Sequence, residues 1–210
     1  YATDFHNNKI DVFDTNFTKV TMPGGFKDSA IPAGFAPFGI QLIGSNLFVT
    51  YAMEDTAKHD NVAGAGLGMV DVFDTAGNLK QHFATGAPLN APWGIAQAPS
   101  NFGTFSGAIL IGNFGDGTIN AFDASSGKSM GPLKSSNGNT IVEPGLWGIA
   151  FGNNLSNQPS NTLFFTAGPN DEADGVYGRI DLNPASSSGT GNSSGSGTGT
   201  SSSGGVGIGM

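Results

Sequence analysis

The chain has 210 residues, of which 34 are glycine, 11 are proline and only 11% are charged, a composition typical of a turn-rich all-β protein. Its formal net charge of −8 and its 8 Lys and Arg residues exclude a nucleic-acid partner, because binding a phosphate backbone needs clustered basic side chains. The lack of cysteine excludes disulfides, Cys-ligated zinc and thiol catalysis, and no apolar run is long enough to span a membrane.

Two short strands, separated by an Asn-rich turn, are predicted at the start of the chain. They cover residues 2–5 and 10–14, and the second alternates apolar and polar side chains before ending in Asp. This second pattern returns in three further copies, at residues 70–74, 119–123 and, in shortened form, 180–182. A more apolar strand is predicted before each further copy, at residues 47–51, 108–111 and 162–166. We interpret the first residues as part of a repeat that begins upstream of Tyr1.

An aromatic residue followed by Gly-Ile recurs three times. The aromatic residues are Phe38, Trp93 and Trp147, at intervals of 55 and 54 residues. Self-similarity at such a period is typical of a β-propeller, in which each repeat forms one four-stranded antiparallel blade. Packing between blades accounts for the motif, because glycine permits close approach and the aromatic ring fills the space beside it. A ligand-stacking role for Trp93 and Trp147 is the alternative.

The sequence therefore predicts an all-β fold, an NHL-like β-propeller domain over residues 1–184. The full protein is expected to have about six blades, of which this chain holds about three and a half. The predicted blade boundaries are 1–36, 37–86, 87–140 and 141–184. Residues 185–210 are predicted to be a disordered linker or tail, because 186–205 are all Ser, Gly, Thr or Asn. A complete ring is expected to be monomeric, whereas a lone piece exposes sheet edges.

Two predicted loops, at residues 52–68 and 167–178, are far longer than a hairpin requires. In antiparallel blades these loops emerge on the same face as the turns at 6–8 and 113–117. The ligand- or metal-binding candidates on this face are His6, Asp55, His59, Asp60, Asp116, Asp171, Glu172 and Asp174. Imidazoles and carboxylates together suit a divalent cation such as calcium, with the identity of the metal left open. Turn chemistry alone is the competing interpretation, since Asp and Asn also cap turns.

No catalytic motif withstands inspection. The Gly-x-Ser-x-Gly letters at 191–195 lie in the predicted tail, without the strand and helix that a nucleophile elbow needs. The glycine-rich run at 64–68 is not followed by a predicted helix, so it does not match a phosphate-binding loop. His82 falls on a predicted strand and is interpreted as an edge or packing residue.

The run at residues 1–14 is similar to an NHL-type repeat. More closely, the chain resembles the bacterial TIGR03118 family of uncharacterised propeller proteins over about residues 1–182. The matching runs are 3–14, 58–60, 62–64, 112–117, 119–123 and 165–172. The resemblance implies the C-terminal half of an exported, extracellular, periplasmic or surface-associated six-bladed propeller.

Three functional hypotheses follow from these observations. The first is a non-catalytic binding or scaffold module that recognises a protein, glycan or small ligand on the loop-rich face. The second is a metal-dependent hydrolase or lactonase, in which loop carboxylates and His hold a cation and His6 or His59 acts as general base. The third is a structural spacer whose long loops only stabilise neighbouring blades.

Overall fold

The computed structural model describes residues 1–182 and 206–208. These residues form an all-β structure with one 3₁₀ turn, Gly103–Phe105, and none of their helices is long and apolar enough to cross a bilayer. Residues 185–205 and 209–210 of the predicted tail lie outside the described residues. The strands are β1 Ala2–Asp4, β2 Lys9–Phe13, β3 Lys19–Val20, β4 Phe35–Ile43, β5 Asn46–Glu54, β6 Asn61–Val62, β7 Met69–Asp74, β8 Leu79–Thr85, β9 Pro92–Gln97, β10 Ile109–Asn113, β11 Ile119–Phe122, β12 Ser129–Pro132, β13 Leu146–Phe151, β14 Leu163–Ala167, β15 Val176–Leu182 and β16 Val206–Ile208.

The strands form four sheets that follow one another along the chain. The first contains β1 to β3, and the second contains β4, β5, β7 and β8 with β6 added beside β5. The third contains β9 to β12, and the fourth contains β13 to β16. Neighbouring strands pair antiparallel, except that β16 pairs parallel to β15. The all-β prediction is confirmed, whereas the parallel strand within the predicted tail has no counterpart in the sequence interpretation.

The hydrophobic cores lie between consecutive sheets. One core joins the second and third sheets, with Phe48 and Val72 packed in the same cluster as Ile95 and Ile111. A larger core joins the third and fourth sheets in the same way. The first strands of the sheets also contact one another in order, β1 with β4, β4 with β9, and β9 with β13. The residues of the aromatic-Gly-Ile motif therefore lie along one line of contact.

Each aromatic residue of the motif occupies a β-bulge. Pro37 pairs with Tyr51 and Gly39 with Thr50, so Phe38 is the extra residue of β4. The pairing of β9 with β10 skips Trp93, and that of β13 with β14 shifts around Trp147. A bulge bends its strand and changes the direction of the side chain at that position. The three aromatic side chains therefore leave the regular alternation of their sheets.

Two of the three motif glycines, Gly39 and Gly94, lie where two sheets come closest. A Cβ atom on Gly39 would overlap the carbonyl oxygen of Trp93, and one on Gly94 would lie 2.6 Å from that of Trp147. The close-approach role predicted for these glycines is confirmed by this geometry.

Candidate functional site

Five aromatic side chains from β4, β9, β13 and the turns after β1 and β10 converge into one group, called the aromatic cluster below. Its members are Phe5, Phe38, Trp93, Phe114 and Trp147, and all are half-buried. The Trp147 ring is central, with centroids 4.4 Å from Phe114, 5.3 Å from Trp93 and 5.7 Å from Phe38. Phe5 extends the cluster, 5.0 Å from Phe38. The rings therefore pack against one another and still present part of their surface to solvent.

A carboxylate is held at the edge of this cluster. Trp147 Nε1 donates a hydrogen bond of 2.6 Å to Glu172 Oε1. Glu172 lies in a turn in which Asn170, Asp171 and Glu172 take φ values of 58°, 53° and 64°. Three consecutive non-glycine residues in the left-handed region are uncommon, and such strain concentrates at functional sites. The turn thus places one predicted site residue directly on the aromatic cluster.

One predicted candidate from the first repeat and one from the second meet in a shallow groove beside β1. His6 and His59 both line this groove, and His6 Nδ1 lies 2.9 Å from the carbonyl oxygen of Lys58. Asp55 accepts a 2.8 Å hydrogen bond from the His59 backbone N–H, which is the main cause of its lowered pKa. Asp60 lies 3.3 Å from His59, and both side chains are exposed. Asp55 therefore stabilises its own loop, whereas the two imidazoles face solvent.

The remaining candidates also bond within or beside their own loops. Asp116 accepts hydrogen bonds from the Thr118 backbone and hydroxyl, and from Asn90 at 3.1 Å. Asp174 accepts one of 2.6 Å from Asn170, and Asp171 is exposed in the same loop. Among the described residues, no three of the eight candidates come within metal-ligand spacing of one another. The loop cation remains a prediction.

A different group of titratable side chains was missed by the sequence interpretation. Asp28 from the segment between β3 and β4, Asp71 from β7 and His82 from β8 place ligand atoms within 4.8 Å of one another. His82 Nδ1 lies 3.0 Å from Asp28 Oδ2 and 3.2 Å from Asp71 Oδ1. Asp71 and His82 are direct cross-strand partners, so their pairing is a consequence of strand register. His82 is thus on a strand as predicted, but its ring nitrogen also lies beside two carboxyl groups.

The Asp71 carboxyl group has a raised pKa. The residue is only 2% exposed, and burial raises its pKa to about 7, with the nearby Asp28 charge acting in the same direction and His82 opposing it. Burial raises the pKa of Tyr51, and the charges of Asp71 and Asp28 act in the same direction. The Tyr51 hydroxyl therefore stays protonated across the ordinary pH range.

We predict that Asp71 makes the metal-free protein less stable as pH rises. Because its folded-state pKa exceeds the ordinary 3.8, its stabilising contribution is complete below about pH 4 and is lost as pH rises through about 7. In chelator, the stability gained by Asp71→Asn should grow between pH 5 and pH 8, measured by urea unfolding. Asp74→Asn is the matched control, because hydrogen bonds from Asn78 lower the pKa of Asp74 and its effect should be constant over that range. A pH-independent difference for Asp71→Asn would contradict the prediction.

Comparison with known proteins shows that this chain is similar in sequence to viral proteins. No known family profile matches it. The chain is similar to three proteins of Acanthamoeba polyphaga mimivirus. One is 35% identical over 184 residues, which are 86% of this chain and 45% of that protein. The others are 37% identical over 71% of the chain and 33% identical over 86% of it.

These mimivirus relatives are described as uncharacterised proteins, and the chain spans less than half the length of each. The expected membership of the bacterial TIGR03118 family is wrong, because no family profile matches and the relatives are viral. The bacterial and secreted character inferred from that resemblance is likewise unsupported by the mimivirus relatives.

Proposed function

We propose that the protein is a non-catalytic binding module with β-propeller architecture, and that it binds a glycan across the aromatic cluster. The propeller is supported by four successive sheets whose first strands contact in order and whose cores lie between the sheets. One observation supports the binding function: bulges in three sheets direct aromatic side chains into one half-exposed group.

The proposed ligand follows from the chemistry of this surface. Aromatic faces offer apolar contact to the C–H face of a sugar ring, and their rigidity keeps the entropy cost of binding low. Carboxylates beside them accept hydrogen bonds from hydroxyl groups. Glu172 provides such an acceptor at the cluster, with Asp116 and its neighbours further out. The net charge of −8 disfavours acidic ligands, so a neutral glycan fits best.

A metal-dependent hydrolase or lactonase is the weaker candidate. It needs loop carboxylates and His to converge on one cation, whereas Asp55, Asp116 and Asp174 each bond within or beside their own loop. His6 and His59 share a groove, but His6 is engaged with a backbone carbonyl. The binding module requires no such rearrangement.

We predict that Trp147→Ala weakens glycan binding by roughly 30-fold, as is usual when a central aromatic contact is removed. The protein is first screened on an array of neutral and acidic oligosaccharides, and a hit is then titrated by calorimetry. Phe17→Ala is the matched control, because Phe17 is 87% exposed and lies outside the cluster. Glu172→Gln, which keeps an oxygen acceptor for the indole, should weaken binding less than Trp147→Ala.

The proposal fails if no glycan binds, or if Trp147→Ala and Phe17→Ala bind the hit equally well. Saturable turnover of a bound sugar or lactone would instead favour the hydrolase.

A further inference from the structure

The second residue of the repeated strand is acidic in three of the four sheets. The positively charged side chains that pair with it differ from sheet to sheet. Asp11 on β2 forms ion pairs with Lys9 at 3.0 Å and Lys19 at 2.6 Å. Asp181 on β15 forms one with Arg179 at 2.9 Å. Asp71 on β7 has no Lys or Arg nitrogen within 4 Å among the described residues, and its partner is the single imidazole of His82. Asp71 alone of the three therefore lacks a permanent cation.

A second buried carboxylate makes this shortage of positive charge more severe. The side chains of Asp28 and Asp71 are only 4% and 3% exposed. When both carboxyl groups are ionised, one imidazole leaves at least one negative charge uncompensated, because a single ring carries at most one positive charge. Burying an uncompensated charge is costly, and natural proteins neutralise such charges with a partner, a proton or a metal ion.

Two of the four carboxylate oxygens have no hydrogen-bond partner. Asp71 Oδ2 and Asp28 Oδ2 are both fully buried and unsatisfied, although Asp28 Oδ2 lies only 3.0 Å from His82 Nδ1. The other oxygens are occupied: Asp28 Oδ1 accepts the Ala30 backbone N–H at 2.8 Å, and Asp71 Oδ1 faces His82. Buried orphan acceptors are rare in native proteins and indicate an unplaced water or ion.

The spacing and type of these atoms fit a metal ion. Ligand atoms held about 2.0–2.1 Å from one ion are separated by roughly 2.9–3.4 Å at coordination angles between 90° and the tetrahedral value. The observed Nδ1–oxygen distances of 3.0 and 3.2 Å lie in that interval. One imidazole with two carboxylates favours zinc or a similar borderline cation over calcium and magnesium, which prefer oxygen ligands alone. His82 is half-exposed, so a cation can enter from solvent.

We propose that Asp28, Asp71 and His82 form a zinc-type divalent cation site that joins the segment between β3 and β4 to the second sheet. The ion supplies the positive charge that Lys and Arg supply at the equivalent positions of the first and fourth sheets. Three protein ligands leave a further coordination position for water. The site is separate from the aromatic cluster and does not depend on the proposed glycan binding.

The test is calorimetric titration of the chelator-treated 210-residue protein with zinc chloride. We expect one equivalent to bind, and we expect Asp71→Asn and His82→Gln each to weaken binding at least tenfold. Zinc should also raise the melting temperature of the parent protein, since it binds the folded state, and should not raise that of Asp71→Asn. Cobalt bound in place of zinc provides a visible absorption band as a second readout.

His59→Gln distinguishes this site from the exposed loops. His59 and Asp60 form the same type of pair, 3.3 Å apart, but their side chains are 83% and 78% exposed. Zinc binding should survive His59→Gln. Asp71→Asn should melt in chelator at or above the parent temperature, so its loss of zinc cannot be ascribed to unfolding. The proposal is overturned if the parent protein binds no zinc, if Asp71→Asn or His82→Gln loses less than tenfold in zinc affinity, or if His59→Gln abolishes binding.

Discussion

Gly94→Ala is expected to lower the free energy of unfolding by roughly 3 kcal/mol, near the upper end of the usual cost of overpacking. The new methyl group would lie 2.6 Å from the Trp147 carbonyl oxygen and 3.1 Å from the backbone nitrogen of Ile149. Both obstacles are backbone atoms of β13, so no side-chain rotation can relieve the overlap. The third and fourth sheets must separate where their core begins. Denaturant unfolding with a linear fit measures the loss.

Gly148→Ala is the matched control for this prediction. It lies at the same position of the motif, but its added methyl group meets Thr166 Oγ1 at 3.2 Å and a Trp93 ring carbon at 3.7 Å, both side-chain atoms. The cost should stay below about 1 kcal/mol, because small side-chain shifts relieve the contact and alanine restricts the unfolded chain more than glycine. Equal losses for the two variants would contradict the account of sheet contact given above.

Phe73→Ala is expected to destabilise the protein by about 3–5 kcal/mol, the usual range for a large-to-small change at a buried Phe. Phe73 is 0% exposed and belongs to the same core as Phe35 and Leu47. Its ring also lies 5.4 Å from Phe26, in the segment that carries Asp28. The cavity would therefore loosen both the second sheet and the segment docked on it. Urea or guanidinium unfolding provides the measurement.

Phe13 provides the comparison, because it occupies the same place in the repeated strand at residues 10–14 as Phe73 does in the copy at residues 70–74. It is 42% exposed, so Phe13→Ala should cost about 0.5 kcal/mol or less. A loss of similar size in both variants would contradict this prediction. It would mean that the position in the repeat, rather than burial, determines the loss in free energy of unfolding.

Much of the fold can be predicted from local patterns. Alternation and apolar runs place β2, β5, β7, β10, β11 and β14 close to their observed positions, because each strand must bury one face. The nearly constant interval between Phe38, Trp93 and Trp147 predicts that their strands occupy equivalent places in successive repeats. The bulges are not predictable in this way, because the same letters suit a regular strand and only the pairing partner determines the extra residue. The convergence of the aromatic rings therefore emerges only in three dimensions.

The Asp28–Asp71–His82 group was missed for a related reason. Strict alternation makes Asp71 an ordinary polar residue of a half-exposed strand, like Asp11. It is buried because the segment between β3 and β4, which has no regular pattern, covers that part of the sheet. The pairing of Asp71 with His82 was not predictable either, because the register of β7 and β8 shifts on both sides of Asp71, between Val70 and Asp71 and between Val72 and Phe73.

The aromatic cluster also gives the protein an internal optical reporter. Both tryptophans of the chain belong to it, with ring centroids 5.3 Å apart and planes inclined at 87°. Indoles at this separation couple their electronic transitions, so the long-wavelength end of the near-ultraviolet circular dichroism spectrum, where only tryptophan absorbs, should carry a signal from this pair. One indole N–H is bonded to Glu172, and emission from that ring responds to any change at this carboxylate. Spectra of the unlabelled protein will therefore follow events at this one surface instead of an average over the molecule.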